Sequence, residues 1–383
     1  MALHFSEEEL ASRRRVAIEA MIAAGLDGLM VFRQESMYYL TGYDSFGFVF
    51  FQCLYLGADG TLTLLTRAPD LRQAQHTSMI TDVRIWVDQA GATPADQLKA
   101  ILDEHGCRGQ RLGIELDAYG LTGHSLRMVD AALDGFCEIV DASKVVSRLR
   151  VVKSAAELRY VRRAAELADT AWDAARDLAE PGTDESQILA AMQGTVFSGG
   201  GDYPGNEFII GSGRDAMLCR YFTGRRTLDA VDQLTLEFAG SYRRYHSCLM
   251  RTICIGHVPD RQRDMWHACH DALFASMEAL KPGRPIGEVF DAHAQVLDSA
   301  GHREHRLNAC GYSLGALYHP TWMDWPMLYT GNPIEAAPDM VFFLHMIIAD
   351  SNSGLVMTLG QTVRVTESGC ESLSAAPLTL VVK

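Results

Sequence analysis

The fold class the sequence predicts is an α/β N-terminal domain followed by an α+β C-terminal domain, divided near Val151 into 1–150 and 151–383. Three observations carry it. Short apolar runs alternate with helical stretches before residue 150, a helix-start signature stands at Ser154, and the second half holds helical units punctuated by Pro-Gly with apolar strands between and after them. A chain of 383 residues is long enough to give each part its own core.

In the first part, Gly28 to Phe32, Leu62 to Leu65 and Arg111 to Glu115 read as buried strands, the last followed by an amphipathic stretch ending at Leu133. Strands alternating with helices predict an open α/β sheet. At Ser154-Ala155-Ala156-Glu157 a serine three residues before a glutamate forms a capping box, and apolar residues then recur at helical spacing to about Ala179. Glu180-Pro181-Gly182 precedes a helix bearing Ile188, and Lys281-Pro282-Gly283 precedes one bearing Val289. This echo predicts two similar helical units. Gln233 to Phe238 and Thr252 to Ile255 read as a hairpin of buried strands, with Met340 to Ile348 and Thr362 to Thr366 as a later pair. Glu237 is the unusual residue, a carboxylate inside an apolar strand, where burial without a partner is costly.

Composition narrows the function classes. With 48% apolar and 21% charged residues the chain reads as globular rather than disordered. A net charge of -14 argues against nucleic acid or an anionic membrane as partner, since both require a basic surface. No run of about 18 apolar residues reads as a membrane span. The start of the chain, with Glu7, Glu8, Glu9 and three arginines, has no apolar stretch of a secretory signal. Nine cysteines without a Cys-x-x-Cys pair do not resemble a disulfide framework or a structural zinc site, so a reducing cytoplasm is the expected home. His267-Ala268-Cys269-His270 lies within a helical pattern and reads as a helix face.

Four further stretches occur in a recognisable order: Leu236 to Gly240, Tyr245 to Thr252, Cys310 to Gly315, and Met340 to His345. On these motifs the second part resembles the pita-bread hydrolases, a family that includes aminopeptidase P, prolidase and creatinase. In the family's metallopeptidases these places, with a fifth just before Thr362, carry two Asp, one His and two Glu around two divalent ions. Here they read Glu237, Cys248, Tyr312, His345 and Gly360-Gln361. One carboxylate does not supply the anionic oxygen that two dications need. Leu40 to Asp44 with Gln52-Cys53, Gly201 to Pro204, Arg244-Tyr245-His246, and Gly311-Tyr312 with Leu314-Gly315, Pro320 and Trp322 are similar to the metal-independent, ectoine-hydrolase-like branch. The insertion-like run Tyr318 to Trp325, His345, and Leu218-Cys219-Arg220-Tyr221 depart from that branch, so a different small molecule is open.

The resemblance implies a pita-bread fold for the α+β domain, no metal and no cofactor, a small-molecule substrate and a homodimer. It also assigns roles. Glu237 would activate water or attack directly, His246 would pass a proton to the leaving nitrogen, and Tyr312 with His345 would hold the polarised centre. For Glu237 the structural alternative is a pair with Arg251 or Arg244. Arg220, Tyr221, His319, Trp322 and Trp325 would line a pocket for a zwitterion, through an arginine fork and aromatic faces. Phe46, Phe48 and Gln52 of the first domain would close the pocket of the partner subunit in a dimer. Cys248 reads as a small buried filler. The expected reaction is hydrolysis of a C–N bond in a cyclic amidine, amide or guanidino group. Two rivals remain open: an Xaa-Pro peptidase with one ion on Glu237, His345 and His319, and a non-catalytic binding protein on the same fold.

Overall fold

In the computed structural model, which describes residues 3–220 and 225–383, the chain divides into two compact units, Met1–Arg150 and Val151–Lys383. The strands of the first unit are β1 (Gly28–Val31), β2 (Cys53–Gly57), β3 (Leu62–Arg67), β4 (Asp82–Trp86), β5 (Arg111–Ile114) and β6 (Glu138–Asp141). Its helices are α1 (Glu7–Ala23), α2 (Gln34–Thr41), α3 (Leu71–Thr77), α4 (Pro94–Glu104), α5 (Gly123–Leu133) and α6 (Val145–Arg150). The sheet order is β4-β3-β2-β1-β5-β6. It is mixed: β1, β5 and β6 run parallel, while β2 pairs antiparallel with both β1 and β3. Separate apolar clusters, one with Phe32, Leu98 and Ile114 and one with Val31, Leu40 and Leu64, bury the sheet, as the continuous apolar runs require.

The second unit begins with α7 (Ala155–Leu178), whose capping box is formed as the sequence predicts: Ser154 accepts from the Glu157 amide and Glu157 accepts from the Ser154 amide. The same Glu157 carboxylate accepts the Tyr245 hydroxyl at 2.7 Å, fixing the helix start to a strand. After α8 (Glu185–Ser198) come β7 (Ile209–Ser212) and a hairpin of two eleven-residue strands, β8 (Asp232–Tyr242) and β9 (Tyr245–Ile255). The chain then repeats the scheme with α9 (Asp260–Ala279), α10 (Gly287–Ser299), the short β10 (Gly311–Ser313) and β11 (Asp324–Met327), and a second long hairpin, β12 (Val341–Asp350) and β13 (Leu355–Val365). Small strands β14 (Cys370–Ser372) and β15 (Val381–Val382) add to β13 and β9. The Pro-Gly echo therefore marks two helix pairs, each followed by a hairpin.

Both hairpins are longer than the apolar pattern predicts. Ser241, His246 and Ser247 are polar, yet each is fully buried within strand pairing. The turn between β8 and β9 is made by Arg243 and Arg244, both at positive φ, as a two-residue turn matching strand twist requires. The Asp202 carboxylate accepts from the Arg244 amide at 3.0 Å and holds that turn.

The large sheet has the order β11-β10-β12-β13-β9-β8-β7, and alternate residues point to opposite faces. Phe342, Leu344, Met346, Met357 and Leu359 face the layer of α9 and α10. On the other hairpin, α7 presses so closely on β8 that a Cβ at Gly240 would lie 1.9 Å from the Ala164 carbonyl oxygen and 2.6 Å from the Ala168 amide. Backbone cannot yield as a side chain can. Gly240→Ala is expected to cost more than about 3 kcal/mol, and chemical denaturation of purified variant and parent checks it; an unchanged midpoint would refute this packing.

Candidate active site

Strand register assembles the site. Cross-strand partners share a face, and Glu237, Met250, Gly360 and His345 form one row across β8, β9, β13 and β12. The next row on the same face holds Cys248, Thr362, Phe343 and Tyr312, with Thr362 Oγ1 accepting from the Cys248 amide at 2.8 Å. Residues far apart in sequence thus meet on one face.

Glu237 is partly exposed, and the Tyr312 hydroxyl donates to its Oε1 at 3.1 Å. Burial against the surrounding protein pushes its carboxyl up to about 7, opposed by the Tyr312 hydrogen bond and the positive charge of Arg220. Arg251 is not its partner: it sits one residue out of the row, on the opposite face, where it donates to the Met250 carbonyl at 2.9 Å and to Gln361 Oε1 at 2.8 Å. Arg244 instead lies over the Tyr318 ring, 5.1 Å from its centroid. The fifth family place is therefore Gly360, since Gln361 faces away with Arg251.

Tyr312 is buried, its phenol accepting from Trp322 Nε1 at 2.9 Å while donating to Glu237. This corrects one expectation: the phenol proton is directed to Glu237 and not to a developing oxyanion. His345 is 8% exposed, its ring 5.6 Å from those of Tyr312 and Phe343, and its Nδ1 has no hydrogen-bond partner among the described residues. Burial holds it neutral, with its pKa pushed down to about 4. Such an unpaired buried nitrogen is costly unless a ligand satisfies it.

His246 also departs from expectation. It is fully buried, its Nε2 accepts from the Gly205 amide at 2.8 Å, and its Nδ1 lies 3.3 Å from the Gly315 carbonyl oxygen. Both nitrogens serve the backbone, and burial pushes the ring down to about 4. No nitrogen remains to relay a proton, so the ring is a clamp.

The expected pocket residues separate. Arg220 is exposed, yet its charge reaches both Glu237 and His345. Tyr221 lies outside the described residues. Trp322 is only 1% exposed and offers no open face, its indole being used on Tyr312. Trp325 packs against the core under α9 and α10, and His319 is exposed on a turn with no described hydrogen bond or ring contact to Glu237. Phe46, Phe48 and Gln52 belong to the first unit: Gln52 is buried and donates to Gln34 at 2.8 Å, Phe48 is buried, and Phe46 is exposed. For Gln52 and Phe48 the pocket-closing expectation gives way to internal packing. Sequence reasoning missed Phe343, although it precedes His345 by two and so shares its face.

The donors present do not fit two divalent ions. The Cys248 thiol is buried and held protonated far above its usual range, with burial the first cause and the Glu237 charge the second. At Gly360 the place of a carboxylate is filled: a Cβ there would meet the Phe343 ring at 2.6 Å and Met250 at 2.8 Å. Among the described residues no three His, Cys, Asp or Glu side chains group to hold a metal ion. The single-ion set of Glu237, His345 and His319 is likewise not assembled.

Comparison with known proteins agrees with this architecture. The pattern of metallopeptidase family M24 matches residues 159–367, and that of the creatinase/prolidase N-terminal domain matches residues 13–152. The ectoine hydrolase of Halomonas elongata is 27% identical over 402 aligned positions, covering 100% of this chain and 99% of that protein. The dipeptidase PepE of Mycobacterium ulcerans superimposes with a TM-score of 0.84 at 25% identity, covering 99% of each chain. The Xaa-Pro dipeptidase of Bacillus anthracis does so with a TM-score of 0.85 at 20% identity, over 98% of this chain and 100% of that one. The chain accordingly belongs to metallopeptidase family M24, with the two-domain creatinase/prolidase architecture and an N-terminal α/β domain before a pita-bread domain, and it is a hydrolase acting on C–N bonds.

Proposed function

We propose that the protein hydrolyses a C–N bond in a cyclic amidine, amide or guanidino group of a small polar, zwitterionic compound, without a metal ion. The observation that carries this reading is a carboxylate, Glu237, raised toward neutrality and held by one phenol where the family's metallopeptidases place an ion ligand. The full-length likeness to an ectoine hydrolase supports the bond class.

The geometry supports general base catalysis. Glu237 removes a proton as water attacks the carbon of the C=N or C=O group, forming the C–O bond. The carboxylic acid so formed returns that proton to the departing nitrogen as the C–N bond breaks, and the carboxylate is regenerated. Neutral His345 offers its unpaired Nδ1 to the substrate, and Arg220 supplies a cation for a substrate carboxylate. Tyr312 keeps the carboxylate aimed.

Glu237→Gln is expected to abolish turnover of ectoine or a related cyclic amidine while leaving ligand affinity, read by calorimetry, within about threefold. Unchanged turnover would remove Glu237 from the chemistry. Equal binding by both proteins with no turnover by either across osmolytes would instead favour the non-catalytic reading.

Full activity after dialysis against a chelator is the second expectation. Loss of turnover that manganese or zinc restores, together with cleavage of Xaa-Pro dipeptides, would establish the peptidase reading.

The pH profile follows from Glu237. As its carboxyl sits at about 7, the basic form is lost as pH falls through that value, so kcat/KM is expected to drop with one proton on the acid side. An acid limb near the ordinary glutamate range would show that the base is elsewhere.

We also infer a homodimer in a reducing cytoplasm. All nine cysteines are free thiols, and Phe46, Val49 and Phe50 are 76%, 57% and 48% exposed in the first unit. Light scattering should give twice the 42.2 kDa of one chain, and Phe46→Glu should halve it.

A further inference from the structure

Trp322 is 1% exposed and stands 6.5 Å, centroid to centroid, from the clamped ring of His246. Its indole N–H donates to Tyr312 Oη at 2.9 Å, and its backbone N–H donates to Asn206 Oδ1 at 3.2 Å. The neighbouring Gly205 has its amide on His246 Nε2, and a Cβ at 205 would lie 2.6 Å from the Thr321 carbonyl oxygen. The segment at 205–206 is therefore wedged between His246 and the turn at 321–322.

An indole nitrogen can only donate, and an ionised carboxylate can only accept. A phenol has one proton. With Trp322 on one side of Tyr312 Oη and Glu237 on the other, the proton is left one direction, toward Glu237 Oε1 at 3.1 Å. We propose that Trp322 is a positioning residue that acts through Tyr312, its donor-only N–H locking the phenol so that its proton points at Glu237 and holds that carboxylate ionised and aimed. This assignment rests on the base role of Glu237 given above. It differs from a pocket-lining role, which would act on substrate directly. Hydrogen bonds in series also polarise one another, so the indole strengthens the phenol as a donor.

Among the described residues, the other titratable groups coupled to Glu237 do not replace this control. Cys219 and Cys248 are both raised, burial first and the Glu237 charge second, and stay protonated; Arg220 acts by charge and accepts no proton.

The experiment is an infrared difference titration of the Glu237 carboxyl, identified by subtraction of Glu237→Gln, alongside the pH profile of kcat/KM. Tyr312→Phe is expected to raise the midpoint. Trp322→Phe, which keeps an aromatic ring and loses the N–H, is expected to raise it by about half a pH unit, roughly a threefold loss of the basic form below the midpoint. In the Tyr312→Phe background the tryptophan change should add nothing, the non-additivity expected of residues acting in series. An unmoved midpoint in Trp322→Phe, or the same shift in both backgrounds, overturns the proposal. If Trp322→Phe fails to fold, Asn206→Ala releases the Trp322 backbone and is read by the same criteria. The titration needs no turnover: expected shifts in a protein that cleaves none of the compounds keep the relay and sink the base role, whereas normal Glu237-dependent turnover without shifts sinks the relay alone.

Discussion

A carboxylate held among protein atoms with a phenol as its hydrogen-bond partner is the constraint on which this site depends. Burial disfavours the charged form of Glu237, while the Tyr312 hydrogen bond and the charge of Arg220 favour it. The balance leaves the group near neutrality, where a base also returns its proton easily. A second carboxylate beside it would upset that balance, and two cations would abolish it. The substitutions at the other four family places are therefore chemically consistent with one another: thiol, phenol, imidazole and glycine bring no negative charge.

That constraint reaches into the scaffold. Two rows of one sheet face set the distances, and the rows exist because β8, β9, β12 and β13 are long, continuous and in register. Phe343 fills the corner opened by the missing side chain at Gly360, so the floor is packed where an ion-binding carboxylate would otherwise stand. Behind the hairpin turn, Asp202, Gly205 and Asn206 tie separate loops to it through Arg244, His246 and Trp322. His246 and Trp322, both chemically versatile, are used here to hold backbone and phenol.

Much of the fold was legible in the chain. The capping box at Ser154 and Glu157, the Pro-Gly echo at Pro181 and Pro282, and the apolar runs around Leu236 and Phe342 each follow from local chemistry. The full strand lengths were not, because Ser241, His246 and Ser247 are buried polar residues satisfied or tolerated only within the assembled sheet. Glu237, Tyr312 and His345 were singled out by their places in the motifs, and strand register brings them to one sheet face. Gln52 and Trp325 were misassigned because an aromatic or amide in a suggestive motif carries no sign of whether it faces a cavity or a core.

By itself the sequence determined the family, the order of helices and hairpins, and the loss of all but one carboxylate, since these depend on residue type and spacing along the chain. Only the tertiary structure decided that His246 is a clamp, that Trp322 addresses Tyr312, that Arg251 turns away from Glu237, and that Phe343 covers Gly360. Direction is the physical reason: a side chain's role depends on which face its strand presents and which atoms from distant segments meet it there, and cross-strand register sets both.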